Sequence, residues 1–278
     1  MQLMRLSEVP IRQGDRVFRH SPERAVFAVG CVGIAIAGLL VLGWQRGSGL
    51  AYYLAGVLLV GMLVMRRFVS ARFRPSNWLL RMGGEGVFLQ FRSYLNCHFP
   101  ESDHTVVFIP YREIRAIRRV DERSEIPYRD LDRPFVERST ERRRCLVEFE
   151  LSGDTSLFAK ALDDERARRP PGATLYRDYP ARFSSPGCVR VEWNVAPGAQ
   201  AFLDAMGHRT AIAAATEKRQ DYVDLAGLGR EEQEARLREL VDAGQTIDAI
   251  YVARKLYACD LAQARDFVER LGSGRGGR

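Results

Sequence analysis

The chain has 278 residues, with 42 basic and 35 acidic side chains, a formal net charge of +7 and 46% hydrophobic residues. Its five cysteines, Cys31, Cys97, Cys145, Cys188 and Cys259, are odd in number, scattered and free of any CxxC spacing, which excludes a disulfide framework and fits a reducing compartment. The positive balance comes with no nucleic-acid recognition motif, so it points to an anionic membrane surface and not to DNA or RNA.

Residues 1–24 are polar and mixed in charge and read as a lead-in arm, partly helical at an interface. The stretch from Ala25 to Val69 organises the rest. Ala25 to Trp44 and Leu50 to Met65 carry no charged residue, and Gln45-Arg46-Gly47-Ser48-Gly49 is a tight polar break between them. About twenty apolar helical residues span a hydrocarbon core of about 30 Å. The first run has that length, and the arginine stems of Arg66 and Arg67 extend the second by snorkelling. Residues 25–69 are therefore predicted to form a transmembrane helical hairpin. Trp44, Tyr52 and Tyr53 flank its turn as interfacial aromatics do, and the small pairs Gly33/Ala37 and Ala51/Ala55 are expected to let the two backbones approach. Arg5, Arg12, Arg16, Arg19 and Arg24 precede the spans, and Arg66, Arg67, Arg72, Arg74 and Arg81 follow them, against Arg46 alone in the connecting loop. The positive-inside rule then puts both termini in the cytoplasm.

Beyond the hairpin the pattern changes to strands. Trp78-Leu79-Leu80-Arg81, Val87 to Tyr94, Thr105 to Ile109, Cys145 to Leu151 and Val189 to Trp193 are short apolar or alternating runs separated by Gly, Pro, Asn and Asp, which predicts an antiparallel sheet. Between Arg112 and Arg144 lie eleven arginines, and eight acidic residues accompany them, so the stretch reads as a solvated loop or extended strand ends. Within it Arg118, Arg119, Arg142, Arg143 and Arg144, together with Arg66 and Arg67 at the hairpin exit, are candidate contacts to lipid phosphates. Asn96-Cys97-His98 and Asp103-His104 hold zinc-type ligands, but not at the spacing of a finger or ribbon, so no metal is expected. There is no G-x-S-x-G, G-x-x-x-x-G-K-[ST] or H-E-x-x-H, and no catalytic residue or cofactor is predicted.

Trp78 to Arg81, the Gly86-Val87 turn into a strand, and Ile109-Pro110-Tyr111-Arg112-Glu113-Ile114 resemble the pattern of bacterial PH-like domains over residues 75–207. Members of that family often follow one or two membrane spans. The resemblance implies a bent antiparallel sheet closed by a C-terminal helix, here Ala199 to Met206, and a binding or scaffolding role more than catalysis. The charged insertion and the segment from Lys160 to Pro186 depart from the family pattern.

Residues 208–228 read as a helical linker. Residues 229–271 read as three helices: Glu231 to Asp242, one capped by Thr246, and one capped by Asp260, with Leu237, Leu240, Ile250, Leu261 and Val268 as their core. Residues 272–278 form a flexible tail. Gly244, Ile247, Ala249, Ile250, Arg254, Leu261, Ala264, Arg265, Val268 and Glu269 resemble the helical part of the C-terminal domain of the bacterial ribosomal stalk protein. That family docks protein factors on this surface, which marks Ile250, Tyr251, Arg254 and Arg265 as candidate partner contacts, although its basic residues are partly missing here. The expectation is an α+β inner-membrane protein with anionic lipids and an unidentified protein as partners. The alternative is a subunit of a membrane enzyme or transport complex.

Overall fold

A computed structural model describes residues 1–96, 99–100, 103–129, 137–168, 178–221, 225, 227–242 and 245–273. They form an α+β protein with an N-terminal helical hairpin, two sheets and three C-terminal helices. The chain divides into two compact units. The first comprises Met1–Glu113, Gly153–Pro180 and Asn194–Phe202, and the second Ile114–Ser152, Ala181–Trp193 and Leu203–Arg278. Residues 75–207, grouped by sequence into one domain, thus contribute to both.

In the first unit, α1 (Pro22–Arg46) starts with a proline, whose missing N–H costs nothing there, and ends at Gly47, whose φ of 61° is the left-handed stop that glycine tolerates. Ser48 leads directly into α2 (Gly49–Ala71). The inward face of α1 is Ala25, Val29, Val32, Ile36, Leu39 and Gly43, and that of α2 is Ala51, Ala55, Leu58 and Met62. Both sets step by alternating fours and threes, the spacing of a coiled-coil seam. Gly43 makes room for a close contact: a Cβ there would stand 3.0 Å from the Tyr52 ring. Ala51 and Ala55 are buried in the seam as expected, but Gly33 and Ala37 are exposed and face away. The bulky residues at 29, 32, 36 and 39 set the rotation of α1, and positions 33 and 37 lie one residue, about 100°, round from them.

Before Pro22 the arm of residues 1–24 is helical only in one short 3-10 turn, Leu6–Glu8. It supplies two β-strands, β1 (Gln2–Arg5) and β2 (Arg16–Phe18). With β3 (Leu80–Met82), β4 (Gly86–Gln90) and β5 (Thr105–Pro110) they form an antiparallel sheet in the order β1-β5-β4-β3-β2. β2 pairs with β3 through Val17 and Arg81, and β1 with β5 through Leu3 and Val107. Gly86 allows this packing, because a Cβ there would come within 2.4 Å of the Ile109 carbonyl oxygen. One cluster on this sheet gathers Trp78, Phe88 and Val106 under Val9 of the arm. Elsewhere α3 (Ser156–Ala167) packs Phe158 flat on Phe91, ring centroids 5.3 Å apart, and Phe202 meets Phe18 edge-on at 5.2 Å.

The second unit is built on two long strands, β6 (Ile114–Arg129) and β7 (Glu137–Leu151), paired residue for residue apart from one irregularity near Ile114. The charged insertion is therefore strand on both sides of residues 130–136, which lie outside the described residues. β8 (Ala181–Ser185) and β9 (Cys188–Glu192) extend the sheet beyond β7. The segment expected to be a helical linker is instead β10 (Ala211–Ile212) and β11 (Thr216–Asp221), both parallel to β6. Residues 211–215 are good helix formers, but the open edge of β6 offers unpaired backbone groups, and pairing overrides local propensity. Thr210 fixes the start by donating its hydroxyl to the Ile114 carbonyl at 2.8 Å. The helix α4 (Ala199–Met206) is present as expected, although its residues divide between the two units.

Three helices end the chain: α5 (Arg230–Asp242), α6 (Thr246–Tyr257) and α7 (Leu261–Ser273). Their shared core is Leu225, Leu237, Leu240, Ala249, Val252, Ala253, Ala264 and Val268. Leu261, assigned to that core by its spacing, is exposed, because it opens the first turn of α7. Asp260 caps α7 in reciprocal fashion: the Gln263 N–H donates to its Oδ1 at 2.8 Å, and its own N–H donates to Gln263 Oε1 at 3.2 Å. Thr246 is the first helical residue of α6 and not its cap, which is Gln245. Leu225 belongs to the core, and Gln233 donates its amide to the Leu225 and Leu228 carbonyls, so this helical unit begins near 225 and not at 229.

Candidate functional site

The two helices of the hairpin are long and apolar enough to cross a membrane, and only 6% and 11% of their apolar windows are buried. A core helix of a soluble domain would be mostly covered. Where they meet the first sheet, the side chains interlock. His20 is buried, 4% exposed, with its ring 4.7 Å from that of Tyr94. Arg72 lies over the same Tyr94 ring at 4.6 Å and also donates to its hydroxyl. Asn77 donates to the His20 carbonyl at 3.0 Å and to the Arg72 carbonyl at 2.6 Å, linking the entry of α1 to the exit of α2. The His20 pKa is lowered from 6.5 to about 4: burial is the largest cause, the Arg72 charge adds to it, and a backbone hydrogen bond at Asn194 opposes both. This foot holds the hairpin by a neutral imidazole. Of its members sequence marked only Arg72, as one of the positive charges after the spans, because a lone His two residues before a helix-starting Pro has no distinguishing pattern.

Just above the foot, Arg66 and Arg67 point out from the last turns of α2, exposed and with no ion pair among the described residues.

The other five candidate arginines belong to the second unit, and each meets a carboxylate. Arg118 pairs with Glu148, Arg119 with Asp121 at 3.0 Å, Arg142 with Asp248 at 2.5 Å, Arg143 with Glu141 at 3.0 Å and Arg144 with Glu192 at 3.7 Å. The register also splits them. Arg118, Arg142 and Arg144 share one face of the β6–β7 ribbon, and Arg119 and Arg143 share the other. One flat lipid surface cannot meet both faces, so the five do not form one patch.

The face with Arg118 carries a row across four strands. Glu148, 2% exposed, accepts from Arg118 Nε at 2.6 Å, from Arg190 Nε at 2.5 Å and from the Ser184 hydroxyl at 3.3 Å. Burial alone would raise its pKa, but the hydrogen bonds and charges of Arg190 and Arg118 outweigh burial and hold it below the ordinary carboxylate value. Arg182 donates to the buried Glu122 at 3.0 Å in the same row. The sequence carries the signal for this row, since Glu148 and Arg190 are charged residues inside otherwise apolar strands.

In the tail, Ile250 packs against the helical core, Tyr251 and Arg254 are half-buried on α6, and Arg265 is exposed but paired with Glu269 at 2.8 Å. Asp248, on the same helix, is the residue that ties the tail to β7 through Arg142.

A second ionic cluster, in the first unit, was not foreseen. Arg92 is fully buried against the Phe99 ring at 3.7 Å, with Nε 2.6 Å from Glu165 Oε1 in a contact too bent to count as a hydrogen bond. Asp103 receives Arg168 at 2.7 Å, and Arg5 and Arg92 each at 3.5 Å. Burial raises the Glu165 pKa despite Arg92 and Arg168, whereas Asp103, for which burial acts the same way, is held low by its three arginines. A cavity of about 360 Å³ opens beside this cluster, lined in part by Arg5, Glu8, Asp164, Glu165 and Arg168. The cluster joins the arm, the sheet and α3.

Cys97 and His98 lie outside the described residues. Among the described residues, no three His, Cys, Asp or Glu side chains are grouped so as to hold a metal. No family model, curated protein or solved structure matches the chain.

Proposed function

We propose that the chain is a scaffold anchored in the bacterial inner membrane, with both ends, a PH-like β region and the helical tail in the cytoplasm, where it contacts anionic headgroups and a protein partner. The unsheathed apolar helices support the anchor. One observation carries the topology: the strands that flank the hairpin are neighbours in a single sheet, β2 beside β3 and β1 beside β5. A sheet built from both flanks requires an even number of crossings between them. The arginine excess on both flanks supports the cytoplasmic side. A reporter active only outside the cytoplasm, fused after residue 278, is expected to be silent, and strong activity would overturn the topology.

Headgroup contact is supported by the unpaired Arg66 and Arg67. The Arg66→Gln/Arg67→Gln double variant of the full chain should lose preference for anionic over neutral lipid, by about 1 kcal/mol per charge removed. The readout is the lipid composition that co-purifies from mixed vesicles. The difference should vanish in about 1 M salt, where the screening length is about 3 Å. A preference unchanged at low salt would remove these arginines from the reading.

Partner contact is supported by the tail having a core of its own. Isolated helices shorter than about twelve to fifteen residues are marginal in water, so the three must fold together. Residues 225–273 expressed alone should give a helical circular-dichroism spectrum and a cooperative melt. A disordered spectrum would make the tail a docked extension of the second sheet.

A further inference from the structure

Arg81 sits in the middle of β3, paired across the sheet with Val17 and Phe88, and is only 8% exposed. Its Nε and Nη1 have no hydrogen-bond partner, and among the described residues no carboxylate pairs with it. What it does have is the face of the Trp78 ring, 5.2 Å from its guanidinium carbon. The buried Arg92 of the same unit is met by Glu165 and Asp103, so an uncompensated buried arginine is not general here. A guanidinium cannot shed its proton to escape burial, and a buried cation without a counter-charge is costly. Buried polar atoms without partners call for an explanation, and an anion from outside the chain is one.

The surroundings fit that anion. Arg81 lines a cavity of about 270 Å³ together with Trp78, Ser7, Ser76, Ile11 and Pro75, and no acidic side chain lines it. Ser7 and Ser76 line the same cavity as the guanidinium, and both residue types carry a hydroxyl donor suited to a phosphoryl oxygen. The remaining wall is apolar, and Ile11 is mostly exposed. Pro75 is four residues beyond Ala71, the end of α2, so no more than about 14 Å of chain separates the cavity wall from the hairpin.

We propose that this cavity binds the phosphoryl group of an anionic phospholipid. Arg81 is its counter-ion, Ser7 and Ser76 are flanking donors, and Trp78, Ile11 and Pro75 lie against the glycerol and first acyl carbons. The source of the ligand rests on the membrane-anchor reading above, whereas the phosphoryl chemistry rests on Arg81 and its neighbours. The site differs in kind from Arg66 and Arg67, because a buried pair is screened by salt far less than exposed charges are.

The test uses the full chain in a neutral detergent, titrated by calorimetry with dihexanoyl phosphatidylglycerol, dihexanoyl phosphatidylcholine and inorganic phosphate. Saturable binding of one phosphatidylglycerol per chain is expected, persisting in about 1 M salt. The Arg81→Met variant should bind phosphatidylglycerol about thirtyfold more weakly or worse, the usual minimum for removing one partner of a buried charge pair, and phosphatidylcholine, whose headgroup is neutral overall, should bind the parent measurably more weakly than phosphatidylglycerol does. Without lipid, Arg81→Met should unfold at the same or a higher temperature than the parent, because it removes an unpaired charge. If it does not fold, Arg81→Lys, which keeps the charge and loses the planar donors, should bind measurably more weakly. Equal, Arg81-dependent binding of inorganic phosphate would keep the phosphoryl site and overturn the lipid assignment. Phosphatidylglycerol binding that is the same with and without Arg81 overturns the proposal. Failure of the anchor reading is seen separately, as parent chain that does not fractionate with membranes whatever stands at position 81.

Discussion

Glu148→Ala is expected to be among the most destabilising single substitutions in the second unit. It deletes a carboxylate that is 2% exposed and leaves Arg190, nearly buried, and Arg118, 43% exposed, without their shared partner. Removing one member of a buried ion pair costs about 3–5 kcal/mol, and the partial exposure of Arg118 puts this case near about 3. For a chain of this size that is a fall of roughly 6–12 °C in unfolding temperature. Trp193 follows directly on β9, is buried and donates its N–H to the Cys145 carbonyl at 2.8 Å, so its fluorescence reports on this sheet. Glu148→Gln, which keeps the shape but not the charge, should fall between the parent and the alanine variant. A midpoint for Glu148→Ala within a degree or so of the parent would mean that water replaces the carboxylate at little cost, and the row would lose its structural role.

The second large effect is a pH dependence at the foot of the hairpin. His20 takes up a proton near pH 6.5 when unfolded but only near about 4 when folded. Between those values the unfolded chain binds more protons, so stability is full above about pH 7 and falls as the pH drops from 6.5 towards 4. The whole shift corresponds to about 3 kcal/mol, and about 2 of that is lost by pH 5. The window from 6.5 to 5 is diagnostic, because ordinary carboxylates titrate mainly below it. Unfolding of the full chain in neutral detergent at pH 7, 6 and 5 should show this loss, and His20→Asn should flatten it. A parent profile as flat as the variant's over that window would mean that the imidazole charges in place. The physical causes are burial, which disfavours the imidazolium, and Arg72, which repels it across the Tyr94 ring.

The hairpin, most core strands and the three tail helices were readable because each depends on a local pattern. Length without charge marks residues 25–69, alternation marks Val189 to Trp193, and period-four apolar spacing with the Asp260 cap marks α7. What escaped depends on partners distant in sequence. Gln2–Arg5 is too short and mixed to announce a strand, and becomes one because β5 offers it an edge. Residues 211–221 look helical and are strand for the same reason, beside β6. Three of the candidate arginines of the insertion, Arg118, Arg144 and Arg142, meet carboxylates from outside it, Glu148, Glu192 and Asp248, so the local sequence does not show that they are paired. Arg81 was noted in sequence as one of the positive charges after the hairpin and as the end of the run from Trp78, without a site role. The Trp78 ring and the missing counter-charge that set it apart exist only once β2, β3 and the arm are assembled.

The placement of β1 and β2 has a consequence for how the protein is made. These strands leave the ribosome before the hairpin, yet β2 waits for β3, more than sixty residues later, and β1 for β5, about a hundred residues later. At translation rates of about 5–20 residues per second, the arm spends several seconds as an unpaired strand while the hairpin is synthesised. Its closure therefore follows hairpin synthesis and acts as a checkpoint on it. On the membrane reading proposed above, a failure of one helix to insert would leave the two flanks on opposite sides of the bilayer, the sheet without its β1 and β2 edges, and β3 and β5 as open strands of the kind that seed aggregation. On that same reading a wrongly inserted copy would be marked for quality control by an incomplete sheet, and the correctly inserted form would be fastened by hydrogen bonds that no later inversion of the hairpin could undo without unfolding that sheet.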